Sequence, residues 1–294
     1  MIPYTDEQKM IKEMVGKLAK EKIEPLVEEL DKKGEGADKA LKILIENDLL
    51  KLNLPEEYGG INANYTTMAL VIEEMAKVDS SMAMYIFTSA AGLGLLLKDY
   101  INEDQKKKIF TSCQSGDKLG GFLMTEPGYG SDAGNMGTRA LLKEDFYIVN
   151  GTKTMITNGP EAEWFILFAH TGPGEKSRGI SCFLFHRDDA TGLTAGKPFD
   201  KLGFRASKTS EIFLEDARIP KDSIVLKEGD GWGIAAKIGG CMRASGAASI
   251  ALGNAEGAME YAIKYAKERI TFGKPLIHHQ VIQFMIADMG IQIE

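Results

Sequence analysis

Thr125 and Ser131 bracket a glycine-containing loop whose residue types suit the binding of a cofactor. The loop follows an apolar, strand-like run at residues 122–124 and breaks from it at a Glu-Pro pair. Gly128 and Gly130 let the backbone approach a ligand closely, because neither residue has a Cβ. The hydroxyls of Thr125 and Ser131 stand beside bare backbone N–H groups, so the loop offers several donors to one bound phosphate or flat ring.

The same loop matches the dinucleotide-binding fingerprint in sequence spacing but not in structural context. Gly128, Gly130 and Ala133 have the spacing Gly-x-Gly-x-x-Ala. That fingerprint has to open a helix within a βαβ unit of about thirty residues. Here the loop continues through residues 135–138 toward another strand, so a Rossmann domain is not expected.

Composition and charge exclude several classes of protein. The chain has 294 residues, 44% of them apolar, and 9 prolines, which is enough for one large or two to three smaller packed units. A net charge of −7 and the lack of a basic block argue against nucleic-acid binding and give no attraction to an anionic membrane. The N-terminal residues resemble no signal peptide and no run has the length of a membrane span, so we expect a cytoplasmic protein.

The cysteines and histidines do not predict a metal site or a disulfide framework. Cys113, Cys182 and Cys241 lie far apart in the sequence and are odd in number, so we expect buried thiols in a reducing compartment. The adjacent His278 and His279 would point about 100° apart on a helix, which does not suit a shared metal ion.

Apolar periodicity divides the chain into helical residues 1–118, β residues 119–226 and helical residues 227–294. A Thr5–Gln8 capping box predicts the first helix, Pro25 is expected to kink it, and Asp79 or Ser80 is expected to cap a later one.

The β region is predicted from an apolar period of two. Asn150-Gly151 is a strong hairpin signal, so residues 147–156 are predicted to form a hairpin that turns there. Further strands are predicted near residues 164–170, 179–186 and 210–214.

The C-terminal region combines helical periodicity with many small residues. Each glycine in a helix costs about 0.5–1 kcal/mol relative to alanine, and close approach of helices is expected to recover that cost. Residues 273–275 close one helix, and residues 276–293 start another that has no stop signal at Glu294. We therefore expect a truncated chain.

Five separated motifs resemble the acyl-CoA dehydrogenase family, led by Thr-Glu-Pro-Gly-x-Gly-Ser-Asp. They occur in the family's order at residues 54–60, 125–132, 151–159, 201–207 and 269–275. The resemblance covers essentially the whole chain. It implies an α+β multi-domain fold with an N-terminal helical domain, a barrel-like middle β-domain of orthogonal sheets and an incomplete C-terminal helical bundle.

The resemblance also implies a function in fatty acid metabolism. In this family FAD takes a hydride from the β-carbon of an acyl-CoA thioester while a carboxylate removes the α-proton. We expect a short-chain or cyclic acyl-CoA as substrate, an electron-transfer flavoprotein as acceptor, and a homo-oligomer, either a dimer or a homotetramer. An oxidase on the same scaffold and a non-catalytic FAD-binding protein remain as alternatives.

The site residues follow from the same resemblance. One group is expected along the flavin ring and the thioester: Phe122, Met124, Thr125, Gly130 and Ser131. Met155, Ile156 and Thr157 are expected to form the opposite wall, with ordinary strand packing as the competing interpretation. A third group is expected to reach the FAD of a neighbouring subunit: Arg269, Thr271, Phe272, His279 and Gln280. For Arg269 the alternative is a helix C-terminal charge.

The substrate is expected to contact Ile86, Phe87, Ser131, Met242 and Arg243, although an internal ion pair is the competing role for Arg243. Most members of the family carry the catalytic carboxylate beyond the position of Glu294. A minority carry it one residue before Arg243, where this chain has Met242. The catalytic base is therefore unknown, and this chain is expected to bind FAD less well and to turn over acyl-CoA poorly.

Overall fold

The computed structural model describes residues 4–33, 37–172 and 176–294. Its N-terminal part is helical, as predicted. The helices are α1 (Asp6–Leu18), α2 (Val27–Lys33), α3 (Ala37–Glu46), α4 (Tyr65–Ala76), α5 (Ser80–Phe87), α6 (Ala90–Leu97) and α7 (Glu103–Cys113).

Local sequence signals begin and interrupt these helices as expected. Thr5 and Gln8 form the capping box at the start of α1. A π-helical turn at Ala19–Ile23 and a 3-10 turn at Glu24–Leu26 separate α1 from α2, at the position of the kink predicted from Pro25. Asp79 caps α5 by accepting a hydrogen bond from the backbone N–H of Met82.

Helix α4 is the centre of the helical core and is buried on almost all sides. Two of its buried residues are carboxylates, and both are paired with lysines. Glu73 lies 2.9 Å from Lys12, and Glu74 lies 2.9 Å from Lys77. Lys77 also pairs with Glu256 at 2.9 Å, which ties α4 to the C-terminal helices.

The middle part is a curled β-sheet. Within the described residues, seven strands form it: β1 (Gly120–Leu123), β2 (Arg139–Lys143), β3 (Phe146–Thr157), β4 (Trp164–His170), β5 (Ile180–His186), β6 (Thr191–Ala195) and β7 (Thr209–Pro220). β2, β3, β7 and β6 pair antiparallel in that order. β4 pairs with β1 in parallel and with β5 antiparallel, and a parallel contact between Arg139 and His170 joins the two halves.

The predicted hairpin turn at Asn150-Gly151 is wrong. Both residues lie inside the long strand β3, where the pairing with β7 shifts register between Val149 and Gly151. Asn150 exchanges two hydrogen bonds with Asp216 of β7, one of 3.0 Å and one of 2.8 Å, and so holds this bulge. The actual turn joins β2 to β3 at Glu144, which has a positive φ of 55°.

The C-terminal part is one long helical run followed by a turn and a final helix. α8 (Gly231–Met242) passes through a π-helical turn at Arg243–Ala247 into α9 (Ala248–Glu268). The short strands β8 (Ile270–Thr271) and β9 (Lys274–Pro275) precede α10 (Gln280–Ile293). Among the described residues, no helix combines the length and the hydropathy that a transmembrane span needs.

At Gly253 the helical run packs closely against α4, as predicted for its small residues. A Cβ at Gly253 would lie 2.2 Å from the carbonyl oxygen of Glu73, so only glycine lets α9 approach α4 this closely.

The prediction of buried thiols holds for Cys113 and Cys182, whereas Cys241 is half-buried.

Candidate functional site

A cavity of about 500 Å³ lies where the predicted binding loop, α8 and the end of α5 meet. This volume lies within the usual range for small-molecule sites. Residues chosen from the sequence line it together: Phe87, Phe122, Met124, Thr125, Gly130, Ser131, Met242 and Arg243. Loop residues from the middle sheet and side chains from both helical parts therefore share one cavity.

Sequence reasoning missed the rest of the lining. Trp232 and the small residues Ala133, Ala235, Ala236, Gly239 and Ala247 complete the walls. The helical period that places Ala235, Gly239 and Met242 on one face of α8 was a usable signal, because residues three and four apart share a face.

The binding loop is held in place by a buried ion pair. The ammonium of Lys153, on β3, lies 2.9 Å from the carboxylate of Glu126 and donates a 3.1 Å hydrogen bond to the carbonyl oxygen of Met124. The carboxylate of Glu126 also accepts hydrogen bonds from the backbone N–H groups of Gly137 and Thr138 at 2.6 and 3.0 Å, and from the Thr138 hydroxyl. The loop backbone on the cavity wall therefore has a fixed position.

The pKa values of both members of this pair are lowered, but for different reasons. Burial lowers the pKa of Lys153 from 10.5 to about 8. Burial alone would raise the pKa of Glu126, but the neighbouring ammonium and the hydrogen bonds from Thr138, Lys153 and Gly137 lower it below its ordinary 4.5.

The lowered pKa of Glu126 predicts a loss of stability in acid. The unfolded chain binds more protons than the folded chain between the two pKa values of this carboxyl group. Its contribution to stability is therefore fully present above about pH 4.5 and is lost as the pH falls through the lower folded value. We expect the free energy of unfolding, measured by urea denaturation, to fall less steeply below pH 5 in Glu126→Gln than in the wild type. Equal slopes in the two proteins would contradict this assignment.

The predicted second wall lies beside the loop and does not line the cavity. The backbone N–H of Thr154 donates a 2.8 Å hydrogen bond to the carbonyl oxygen of Thr125, which sets the following residues next to the loop. Met155 is 63% exposed and has a positive φ of 58°. Ile156 is buried in the sheet core, and Thr157 lies opposite Thr209 of β7 in the strand register.

Two expected substrate residues on α5 have different surroundings. Phe87 lines the cavity, whereas Ile86 is buried in the N-terminal core and does not reach it. For Arg243, the structure describes no carboxylate within ion-pair distance, and its guanidinium folds back toward Gly239 on the cavity wall. This placement does not support the competing ion-pair role.

The third expected group gathers at the turn between α9 and α10. The Thr271 hydroxyl and the His279 ring lie 3.2 Å apart, Phe272 is 96% exposed, and Arg269 and Gln280 are exposed. Ala247 lines the cavity, and α9 extends from there to Glu268, which is about 30 Å along the helix axis. These residues therefore lie far from the cavity of their own chain.

Family models match the chain in three consecutive pieces. They are the N-terminal, middle and C-terminal domains of acyl-CoA dehydrogenases, at residues 5–117, 121–217 and 229–294. The chain belongs to the acyl-CoA dehydrogenase family. The family's enzymes are oxidoreductases that act on CH–CH donors, and their cofactor is FAD.

Individual acyl-CoA dehydrogenases are similar over nearly the whole chain. An acyl-CoA dehydrogenase of Bacillus subtilis is 38% identical over 99% of this chain and 76% of its own length. A cyclohex-1-ene-1-carbonyl-CoA dehydrogenase of Syntrophus aciditrophicus is 37% identical over 100% of this chain and 70% of its own length.

Solved structures agree with this assignment. Butyryl-CoA dehydrogenase of Megasphaera elsdenii has a TM-score of 0.89 and 33% identity, covering 100% of this chain and 77% of its own. An acyl-CoA dehydrogenase of Bacillus anthracis, in complex with FAD, has a TM-score of 0.88 and 31% identity over 99% of this chain and 49% of its own.

Proposed function

We propose that the cavity binds FAD beside the acyl group of a short-chain or cyclic acyl-CoA thioester, which is dehydrogenated between Cα and Cβ. The observation that carries the proposal is the cavity itself, which is lined by Met124, Thr125, Gly130 and Ser131 of the loop together with Arg243 of the helical run. FAD, when bound, supplies the acceptor for the hydride that leaves Cβ.

The residues present fit a flavin. The Thr125 and Ser131 hydroxyls both line the cavity, and within the described part of the chain neither bonds to another side chain or to the backbone. A Cβ at Gly130 would meet nothing within 4 Å, so the backbone of the loop is open to a ligand. Two hydroxyls with unused donors and a bare backbone suit the carbonyl and nitrogen acceptors of a flat ring.

The chain's own residues would position the thioester and exclude water from it. Ser131 and Arg243 are the polar groups that we assign to the acyl-CoA, while Phe87, Met242 and the alanines of α8 keep the acyl group in an apolar setting. No described residue on the cavity wall is a carboxylate.

The residues at the α9–α10 turn would complete the FAD site of a neighbouring subunit. Arg269, Thr271, Phe272, His279 and Gln280 are too far from their own cavity to serve it. In our proposal they contact FAD in a neighbouring subunit, where the Arg269 guanidinium suits a pyrophosphate. The protein is then a homo-oligomer, and the electrons leave to an electron-transfer flavoprotein.

Removing the cavity hydroxyls is expected to weaken FAD binding without unfolding the protein. A hydrogen bond is worth about 0.5–1.5 kcal/mol, so Thr125→Val and Ser131→Ala should each raise the dissociation constant of FAD by about 2- to 10-fold. The measurement is a titration of the protein with FAD, followed by flavin fluorescence.

Thr111→Val is the matched control, because Thr111 is exposed on α7 and away from the cavity. FAD affinity equal to the wild type in both cavity variants would refute the assignment of these hydroxyls. Failure of the wild type to bind FAD at all would refute the proposed function.

A further inference from the structure

We infer that a second cavity, in the N-terminal helical part, binds a small organic ammonium ion with an apolar body. This N-terminal cavity has a volume of about 380 Å³ and lies between the loop at residues 53–62, the end of α6 and α7. It shares no lining residue with the cavity proposed for FAD, so the inference is independent of the proposed function. It depends on a buried acceptor, an apolar surface and an excess of carboxylates.

A buried side-chain amide gives the N-terminal cavity an acceptor without a partner. Asn53 lines the cavity and is 5% exposed, and its Nδ2 donates a 2.9 Å hydrogen bond to the carbonyl oxygen of Ala63. This bond fixes the orientation of the amide, because Oδ1 in the place of Nδ2 would face another acceptor. Oδ1 of Asn53 has no hydrogen-bond partner among the described residues, and it is not one of the fully enclosed polar atoms. An open acceptor on a buried side chain favours a ligand that donates a hydrogen bond.

Buried apolar side chains form one side of the N-terminal cavity. Leu95 and Phe110 both line it, and each is 5% exposed. The ring of Tyr58 packs on the ring of Phe110, with their centroids 5.7 Å apart. This surface suits a hydrocarbon body, and aromatic rings also attract a cation that lies over their faces.

The charged groups around the N-terminal cavity have an excess of negative charge. Three carboxylates line it, those of Glu57, Asp99 and Glu103, together with the ammonium groups of Lys98 and Lys106. Lys106 pairs with Glu103 at 2.8 Å, so these two charges largely cancel. Lys98 is the C-cap residue of α6, where the helix dipole favours a cation. Neither Glu57 nor Asp99 has an ion-pair partner among the residues that the structure describes, so both carboxylates remain available to a ligand.

These features together select the charge and the shape of the ligand. An ammonium group donates to Oδ1 of Asn53 and is attracted by the carboxylates of Glu57 and Asp99, while the hydrocarbon body lies against the apolar side. An anionic ligand would place its charge beside an acceptor and two carboxylates. The ligand class that fits is therefore a primary amine, charged at neutral pH, with an apolar body.

The first test compares three probes that have the same body and different head groups. They are 2-phenylethylamine, 2-phenylethanol and 3-phenylpropionate, and their dissociation constants are measured at pH 7 by ligand-observed NMR titration. We expect the amine to bind about 5-fold or more tightly than the alcohol, since a hydrogen bond to a charged donor is the stronger one, and the carboxylate to bind most weakly. An amine that does not bind, or a carboxylate that binds as tightly as the amine, would overturn the inference.

The second test places the bound amine in the N-terminal cavity. Glu57 and Asp99 are both exposed, so the double variant Glu57→Gln/Asp99→Asn should fold as the wild type does. We expect it to weaken 2-phenylethylamine binding by about 2- to 10-fold and to leave 2-phenylethanol binding unchanged, because only the amine carries a charge. Equal affinity for the amine in the wild type and in the double variant would overturn the inference.

Asp38→Asn is the matched control for the loss of a surface carboxylate. Asp38 is exposed on α3 and does not line the N-terminal cavity. This variant should bind 2-phenylethylamine as the wild type does. A loss of affinity as large as in the double variant would show a general effect of surface charge and would also overturn the inference.

Discussion

Replacing Lys153 with methionine is expected to lower the free energy of unfolding by about 3–5 kcal/mol, because it leaves a buried carboxylate without its partner. Lys153 is fully buried and Glu126 is 6% exposed. The change also removes the hydrogen bond to the carbonyl oxygen of Met124, so the cavity wall should loosen as well. Urea denaturation at pH 7 measures the stability, and a FAD titration of the folded variant measures the effect on the loop.

Lys208→Met is the control for this prediction. Lys208 pairs with Glu161, but the two side chains are 37% and 27% exposed. An ion pair this accessible to solvent contributes at most about 1 kcal/mol. The double variant Glu126→Gln/Lys153→Met should lose less stability than Lys153→Met, since no unpaired charge stays buried. A loss in Lys153→Met no larger than in Lys208→Met would contradict the role of the buried pair.

Replacing Gly253 with alanine is expected to destabilise the protein by about 1–3 kcal/mol, although alanine is the better helix former. The new Cβ would lie 2.2 Å from the carbonyl oxygen of Glu73 and 2.8 Å from Cβ of Ala76, so α9 has to move away from α4. Such a shift would also disturb the adjacent ion pair of Lys77 with Glu256. Thermal and urea unfolding measure this effect.

Gly240→Ala is the matched comparison on the same helical run. Gly240 is exposed, and a Cβ there would meet nothing within 4 Å. This variant should gain about 0.5–1 kcal/mol from helix propensity. Opposite signs for the two substitutions are the expected result. If both variants were stabilised, the close approach of α4 and α9 would not be what requires glycine at position 253.

Local signals predicted the helical elements well, because caps and periodicity act within a few residues. The Thr5–Gln8 capping box and the Asp79 cap are examples. The Asn150-Gly151 pair shows the limit of such signals. Its sequence suits a tight turn, but pairing with Asp216 on β7 holds both residues inside a strand. Tertiary contacts override the local preference there.

The cavity was predictable where a motif or a family resemblance marked its residues, as for Thr125 and Ser131. The buried ion pair that holds the loop, Lys153 with Glu126, was not predictable from the sequence. A lysine in a strand is ordinarily a solvent-exposed residue, and nothing in the sequence around Lys153 indicates that it is buried against Glu126. Trp232 was not predicted for a similar reason, since its place in the cavity wall depends on how α8 packs against the sheet.

The most direct test of the central claim is the visible absorbance spectrum of the protein after loading with FAD and gel filtration, recorded before and after addition of butyryl-CoA. We predict that the protein retains FAD and that the flavin bands change when butyryl-CoA is added, because both ligands share one cavity. A protein that emerges without flavin, or whose flavin spectrum does not respond to butyryl-CoA, would contradict the account.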